Sequence, residues 1–131
     1  MKKKLDAFND KKIKVPFVVP TINSSDKKEI MYALSSNLLT DGPNLRKFEK
    51  NFSRLTKSLF SVGVSNATSA LILSLKSLGI SKNDEVIIPD ITFVATANAV
   101  LSCDATPILA DVGYDDLNIS LKSIEENITK K

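Results

Sequence analysis

Apolar residues recur at helical spacing in the first half of this chain and in short continuous runs in the second, and that change of rhythm divides the sequence. Ile30, Met31, Ala33, Leu34 and Leu38 share one helical face. Ser25 or Asp26 stands as the cap, and Asp26 with Glu29 has the spacing of a capping box, so a helix ending near Asn37 is predicted. Thr40-Asp41-Gly42-Pro43 interrupts the pattern, because Gly permits backbone angles closed to other residues and Pro suits the first turn of a new helix. Leu45, Phe48, Phe52 and Leu55 then follow at spacings of three, four and three, a single stripe expected to pack in the core.

From Leu59 onward strands and helices are expected to alternate. Strands are predicted at 59–65, 85–88 and 107–112, and helices at 67–78, closed by Gly79, at 92–102, and at 121–128 behind Ser120. The strands are continuous apolar runs, which suits a sheet covered on both faces. The fold class expected is α/β: a mostly parallel, three-stranded sheet with helices on both faces, preceded by two helices packed against it. Val15 to Pro20, with two prolines among β-branched neighbours, reads as an extended lead-in.

At 131 residues, 43% of them hydrophobic, the chain is sized for one core. Its formal charge of +3 is misleading: residues 1–14 hold six Lys and two Asp, a net of +4, which leaves −1 for residues 15–131. Residues 1–14 therefore read as a basic, solvated tail, residues 15–131 as the domain, and no nucleic-acid surface is indicated. The lack of any His removes the usual metal clusters and every triad built on imidazole. Cys103, the one cysteine, sits in an apolar stretch and reads as a small buried hydrophobe. No run approaches the ~18 apolar residues of a membrane span, and no apolar signal segment follows the basic start, so the cytoplasm is the expected compartment.

A parallel sheet binds ligands beyond the carboxyl ends of its strands, which directs attention to Ser65-Asn66-Ala67-Thr68, to Pro89-Asp90-Ile91-Thr92-Phe93 and to Asp111. At the first of these an apolar run meets a small polar turn, and a helix begins at once. Asn66 is the natural N-cap, and the first N–H groups of such a helix suit a phosphate, although a plain cap would look the same. Neither a G-x-G-x-x-G nor a G-x-x-x-x-G-K-[ST] motif occurs, which leaves a small phosphorylated ligand. Asp84 and Glu85 read as a turn leading into a strand rather than as paired catalytic carboxylates, and Asp111 as structural.

These runs together resemble the amino-terminal part of the DegT/StrS-like sugar aminotransferases, fold-type-I enzymes dependent on pyridoxal 5′-phosphate. The resemblance is carried by Thr40-Asp41-Gly42-Pro43 with Phe48-Glu49, Val64-Ser65-Asn66-Ala67-Thr68-Ser69-Ala70-Leu71, Asp84-Glu85-Val86-Ile87-Ile88-Pro89, Thr92 to Val100, and Pro107 to Val112. It implies that Ala67 and Thr68 hold the cofactor phosphate and that Phe93 stacks on the pyridine ring. A core Phe at a helix start is the other reading of Phe93. Thr40, Gly42 and Pro43 match a loop placed at the substrate or at the neighbouring subunit's site, and equally suit a plain connector between helices.

The resemblance further implies a nucleotide-linked keto-sugar and an amino-acid donor as substrates, a homodimer when complete, and no metal, nucleic acid or membrane. Neither the lysine that carries the cofactor nor the acidic residue on its ring nitrogen has a match here. The chain is therefore expected to be a partial large domain, inactive alone, with a second polypeptide as one source of the missing motifs. The alternatives are a non-catalytic remnant or interaction module and, less well matched, another fold-type-I enzyme such as a desulfurase.

Overall fold

The computed structural model describes residues 18–129, which fall into two compact units meeting between Lys57 and Ser58. The basic tail and the start of the lead-in lie outside the described residues.

The first unit contains α1 (Ser24–Leu34) and α2 (Pro43–Thr56). The cap of α1 is Asn23, not Ser25 or Asp26: Asn23 Oδ1 accepts from the Ser25 and Asp26 N–H groups, and Asp26 Oδ2 accepts from the Asn23 N–H at 2.8 Å. Asp26 thus closes the capping box from its far end. The helix stops at Leu34, three residues short of the expected end, where the Ser35 hydroxyl donates to the Tyr32 carbonyl. Pro43 opens α2 as expected, and Lys57 in a left-handed conformation ends it. The stripe on α2 is not a core. Phe48 and Phe52 are 59% and 47% exposed, and their main ring contact is with each other, at 5.9 Å between centroids.

The second unit contains α3 (Ala67–Ser77), β1 (Glu85–Pro89), α4 (Ala95–Leu101), β2 (Thr106–Ala110) and α5 (Leu121–Asn127). Asn66 and Ser120 cap α3 and α5, and Gly79 follows α3 at φ +82°, a left-handed turn that favours glycine. β1 and β2 pair in parallel from Glu85↔Thr106 to Pro89↔Ala110, with α4 as the crossover. α4 packs on both strands, α5 on β2, and α3 on α4.

The sheet has two strands among the described residues, not three: residues 59–65 join no ladder, and Leu59, Phe60 and Val62 are at least 80% exposed. Their composition suits a strand, but a strand exists only where a neighbour supplies the ladder, and that is a non-local condition. Beyond β2, Val112 forms an isolated antiparallel bridge with Ile119 instead of extending the strand.

The core consists of Ile88, Val100, Cys103 and Ala105, flanked by Leu75, Ile80, Val86 and Ala97. Cys103 is a buried free thiol, as its setting suggested. Ala95, Ala99 and Ala110 are also buried, so α4 approaches the sheet over small side chains. Such a core is small for the apolar surface left outside it, and the isolated chain is expected to self-associate. Light scattering should show mass growing with concentration, and a strictly monomeric chain at high concentration would contradict this.

Candidate functional site

The turn before α3 is built from side chains that bond one another. Asn66 is extended at φ −166°, and its Oδ1 accepts from the Ser69 N–H at 2.8 Å while its Nδ2 donates to the Ser65 hydroxyl at 3.2 Å. The Ser65 and Ser69 hydroxyls stand 3.3 Å apart, and the Asn66 carbonyl accepts from the Ala70 N–H. With Ser69 capped, the N–H groups of Ala67 and Thr68 are those the helix itself leaves without acceptors. No acidic residue lies in the first turn of α3, so its positive dipole end is uncompensated. Thr68 is half-buried and Ala67 exposed. Two unpaired N–H groups, a hydroxyl and a neutral cap make a donor set suited to a phosphate.

Phe93 lies just before α4, where its carbonyl accepts from the Thr96 N–H at 2.9 Å. Its ring is 78% exposed, not a core side chain. The helix expected at 92–102 begins only at Ala95. Thr92 and Thr96 pair through their hydroxyls at 2.8 Å, and Val94, the N-cap, offers no side-chain acceptor. A groove of about 430 Å³ beside the α3 turn is lined by Val64, Ser65, Ser69, Ile72 and Leu73. Ala67, Thr68 and Phe93 do not line it.

Thr40, Gly42 and Pro43 belong to the first unit, and Ala67, Thr68 and Phe93 to the second. Asp41 is left-handed at φ 47°, and the Arg46 guanidinium donates to both of its carboxylate oxygens, at 3.2 and 3.3 Å. Gly42 is buried, and a Cβ there would meet the Leu38 carbonyl oxygen at 2.9 Å. The glycine is thus required by close approach, at an ordinary φ of −88°. Ion pairing and backbone crowding hold this loop in shape, and neither contact was legible from composition.

Asp84 and Asp111 both make local structural bonds, Asp111 accepting from the Val112 N–H with its carboxylate. Asp84 closes the turn before β1 by accepting from the Ser81 N–H and hydroxyl. Asp111 ties the end of β2 to α5, its N–H donating to the Ser123 hydroxyl and its carbonyl accepting from the Ser120 N–H. Asp116 is held below the usual carboxylate range, chiefly by the Asn118 side-chain amide and also by the Asn118 backbone N–H, but it lies fully in solvent within a loop and marks no site. Among the described residues no group of His, Cys, Asp and Glu could hold a metal ion, and no helix is long and apolar enough to cross a membrane.

Residues 20–131 match the model of the DegT/DnrJ/EryC1/StrS aminotransferase family. The chain is 36% identical over 117 residues to the spore coat polysaccharide biosynthesis protein SpsC of Bacillus subtilis, covering 89% of this chain and 30% of that protein. It superposes on Spr1654 of Streptococcus pneumoniae, a protein named as a sugar aminotransferase, with a TM-score of 0.81 and 31% identity, over 88% of this chain and 29% of the other. That neighbour is known in forms with pyridoxal and pyridoxamine phosphate. A GDP-4-keto-6-deoxymannose-3-dehydratase with a trapped PLP-glutamate adduct superposes with a TM-score of 0.79 at 25% identity, over 88% of this chain and 31% of that one. The chain thus spans about 30% of the length of the relatives it matches.

Proposed function

The chain belongs to the DegT/DnrJ/EryC1/StrS aminotransferase family, whose enzymes use pyridoxal 5′-phosphate, and from that membership we propose that it supplies part of the cofactor pocket of an aminotransferase acting on nucleotide-linked keto-sugars. The single observation that supports this reading is the donor set at the head of α3, where Asn66 caps Ser69 and the helix leaves the Ala67 and Thr68 N–H groups to an outside acceptor. The Ala67 and Thr68 N–H groups and the Thr68 hydroxyl would hold the phosphate, and the exposed Phe93 ring would lie against the cofactor ring. When bound, the cofactor supplies a reactive carbonyl and an electron sink for moving an amino group from an amino-acid donor to a sugar carbonyl.

The residues of this chain bind and orient; none is given a proton to move. The nucleotide-sugar part of the reading is supported by the name of the dehydratase neighbour, whose substrate is a GDP-linked keto-sugar. The Thr40, Gly42 and Pro43 loop, in which Asp41 pairs with Arg46 and Gly42 lies close to the Leu38 carbonyl, is assigned to the substrate or to the neighbouring subunit of a homodimer. The remaining motifs would come from further chain or from a second polypeptide, and the compartment is taken as cytoplasmic.

Binding of pyridoxal 5′-phosphate and of pyridoxal, which lacks the phosphate, tests this directly. Thr68→Val is expected to weaken binding of the phosphorylated form by about 1.5–3 kcal/mol, the value of a hydrogen bond to a charged group, and to leave pyridoxal unaffected. Equal affinities of wild type and variant for both compounds would reject the assignment.

A further inference from the structure

The apolar stripe of α2 has the width of a seam between two helices. At about 100° per residue, Leu45, Phe48, Phe52 and Leu55 fall within an arc of about 80°, whereas a helix that faces a globular core presents roughly 100° or more. They alternate as the a and d positions of two heptads. Phe48, Phe52 and Leu55 are exposed, Leu45 is half-buried, and among the described residues of this unit α1 does not pack along them. The cations of the helix, Arg46, Lys47, Lys50 and Arg54, all take b, c and f positions on the opposite face. The e and g positions, which flank the seam and let paired helices choose partners by charge, hold Asn44, Glu49, Asn51 and Thr56 and no cation.

We propose that α2 is a homotypic docking surface, on which the stripe of one chain packs against the stripe of a second copy, parallel and in register, as a two-heptad coiled coil. In that register each g position faces the following e position of the other copy. Asn44 then meets the other copy's Glu49, an amide donor beside a carboxylate, and Asn51 meets the other copy's Thr56, an amide beside a hydroxyl. Flanks of this kind select neither an acidic nor a basic helix, and with the cations turned outward the helix does not repel its own copy. The narrow arc also favours one facing helix over a lipid surface, which a broader apolar face would suit. A parallel pair brings the Gly42-Pro43 turns of both copies to the same end. The surface uses none of the residues assigned to the pocket, so it stands independently of the cofactor reading.

The test is sedimentation velocity on the whole chain, with two charge variants and two cysteine variants. Wild type is expected to populate a dimer whose share grows with concentration. Phe48→Lys places a charge at both facing d positions and should raise the dimer's dissociation constant about a hundredfold or more, with the thermal transition of the second unit unchanged. Val62→Lys removes an exposed apolar residue outside the seam, and should change that constant less than about threefold. Under mild oxidation Leu45→Cys should form a disulfide between residues 45 of two copies, located by peptide mapping, and Lys50→Cys, on the opposite face, should not.

A wild-type chain that stays monomeric, a dimer that survives Phe48→Lys, or a seam cysteine that fails to cross-link overturns the inference. So does a chain that is monomeric in buffer and gathers only on vesicles containing phosphatidylglycerol, which would reassign the stripe to a lipid surface.

Discussion

Incubated with pyridoxal 5′-phosphate and an amino-acid donor, this chain is expected to release no keto acid, and borohydride is expected to trap no stoichiometric adduct at a single lysine. Transamination on this cofactor needs an amine that carries it and then moves protons, and a desolvated lysine of lowered pKa is the usual solution. No polar or charged side chain is buried among the described residues, and every lysine there is exposed. Lys76 lies in the last turn of α3, eight residues beyond Thr68 and so about 12 Å away along the axis. Lys82 follows in the turn before β1. Neither stands at the amino-terminal end of the helix, where the cofactor's phosphate is proposed to sit. Mass spectrometry after reduction, with a keto-acid assay, settles the matter: full trapping at one lysine together with turnover would locate a catalytic amine in this chain and overturn the expectation.

The parts of the fold that were legible in the sequence are those set by local chemistry. Gly42-Pro43 opens α2, Asn66 and Gly79 bracket α3, and Ser120 caps α5, because in each case the side chain or backbone that decides the boundary lies within a few residues of it. The cap of α1 was misplaced by two or three residues for a related reason. Asn23, Ser25 and Asp26 are all acceptable caps, and the choice between them depends on which backbone turns first. What could not be read locally was partnership. Residues 59–65 have the composition of a strand but no ladder, and the α2 stripe has the period of a core helix but no core, so both faces remain exposed. The relatives are about three times as long as this chain, and a period that specifies a buried face does not specify what buries it. Within the candidate site the cap was legible, while the Ser65–Asn66–Ser69 network and the Asp41–Arg46 clamp needed coordinates.

Val100→Asp is expected to abolish cooperative folding of the second unit. Val100 is 1% exposed and is the largest side chain of the unit that is fully enclosed, packed with Ile88, Cys103 and Ala105, and no polar group is buried nearby to receive a carboxylate. Burial of an unpaired charge costs several kcal/mol, comparable with the whole stability of a small domain at about 5 kcal/mol. A buried carboxyl has its folded pKa raised above the unfolded value of about 3.9, so it binds a proton more tightly when folded. The penalty is therefore relieved as pH falls through that range and complete above it. Val100→Ala removes only packing, and should lower stability by about 2 kcal/mol with the transition still cooperative. Circular dichroism melts of the two variants distinguish charge from cavity; equal losses in both would show that Val100 is not enclosed in solution. The consequence reaches the pocket because α4, which Val100 anchors to β1 and β2, carries Phe93 at its head and packs on α3, which carries Thr68. A chain with Val100→Ala should accordingly retain the phosphate binding proposed for α3, which would be a local property of one helix turn, while losing part of whatever affinity the ring of Phe93 adds.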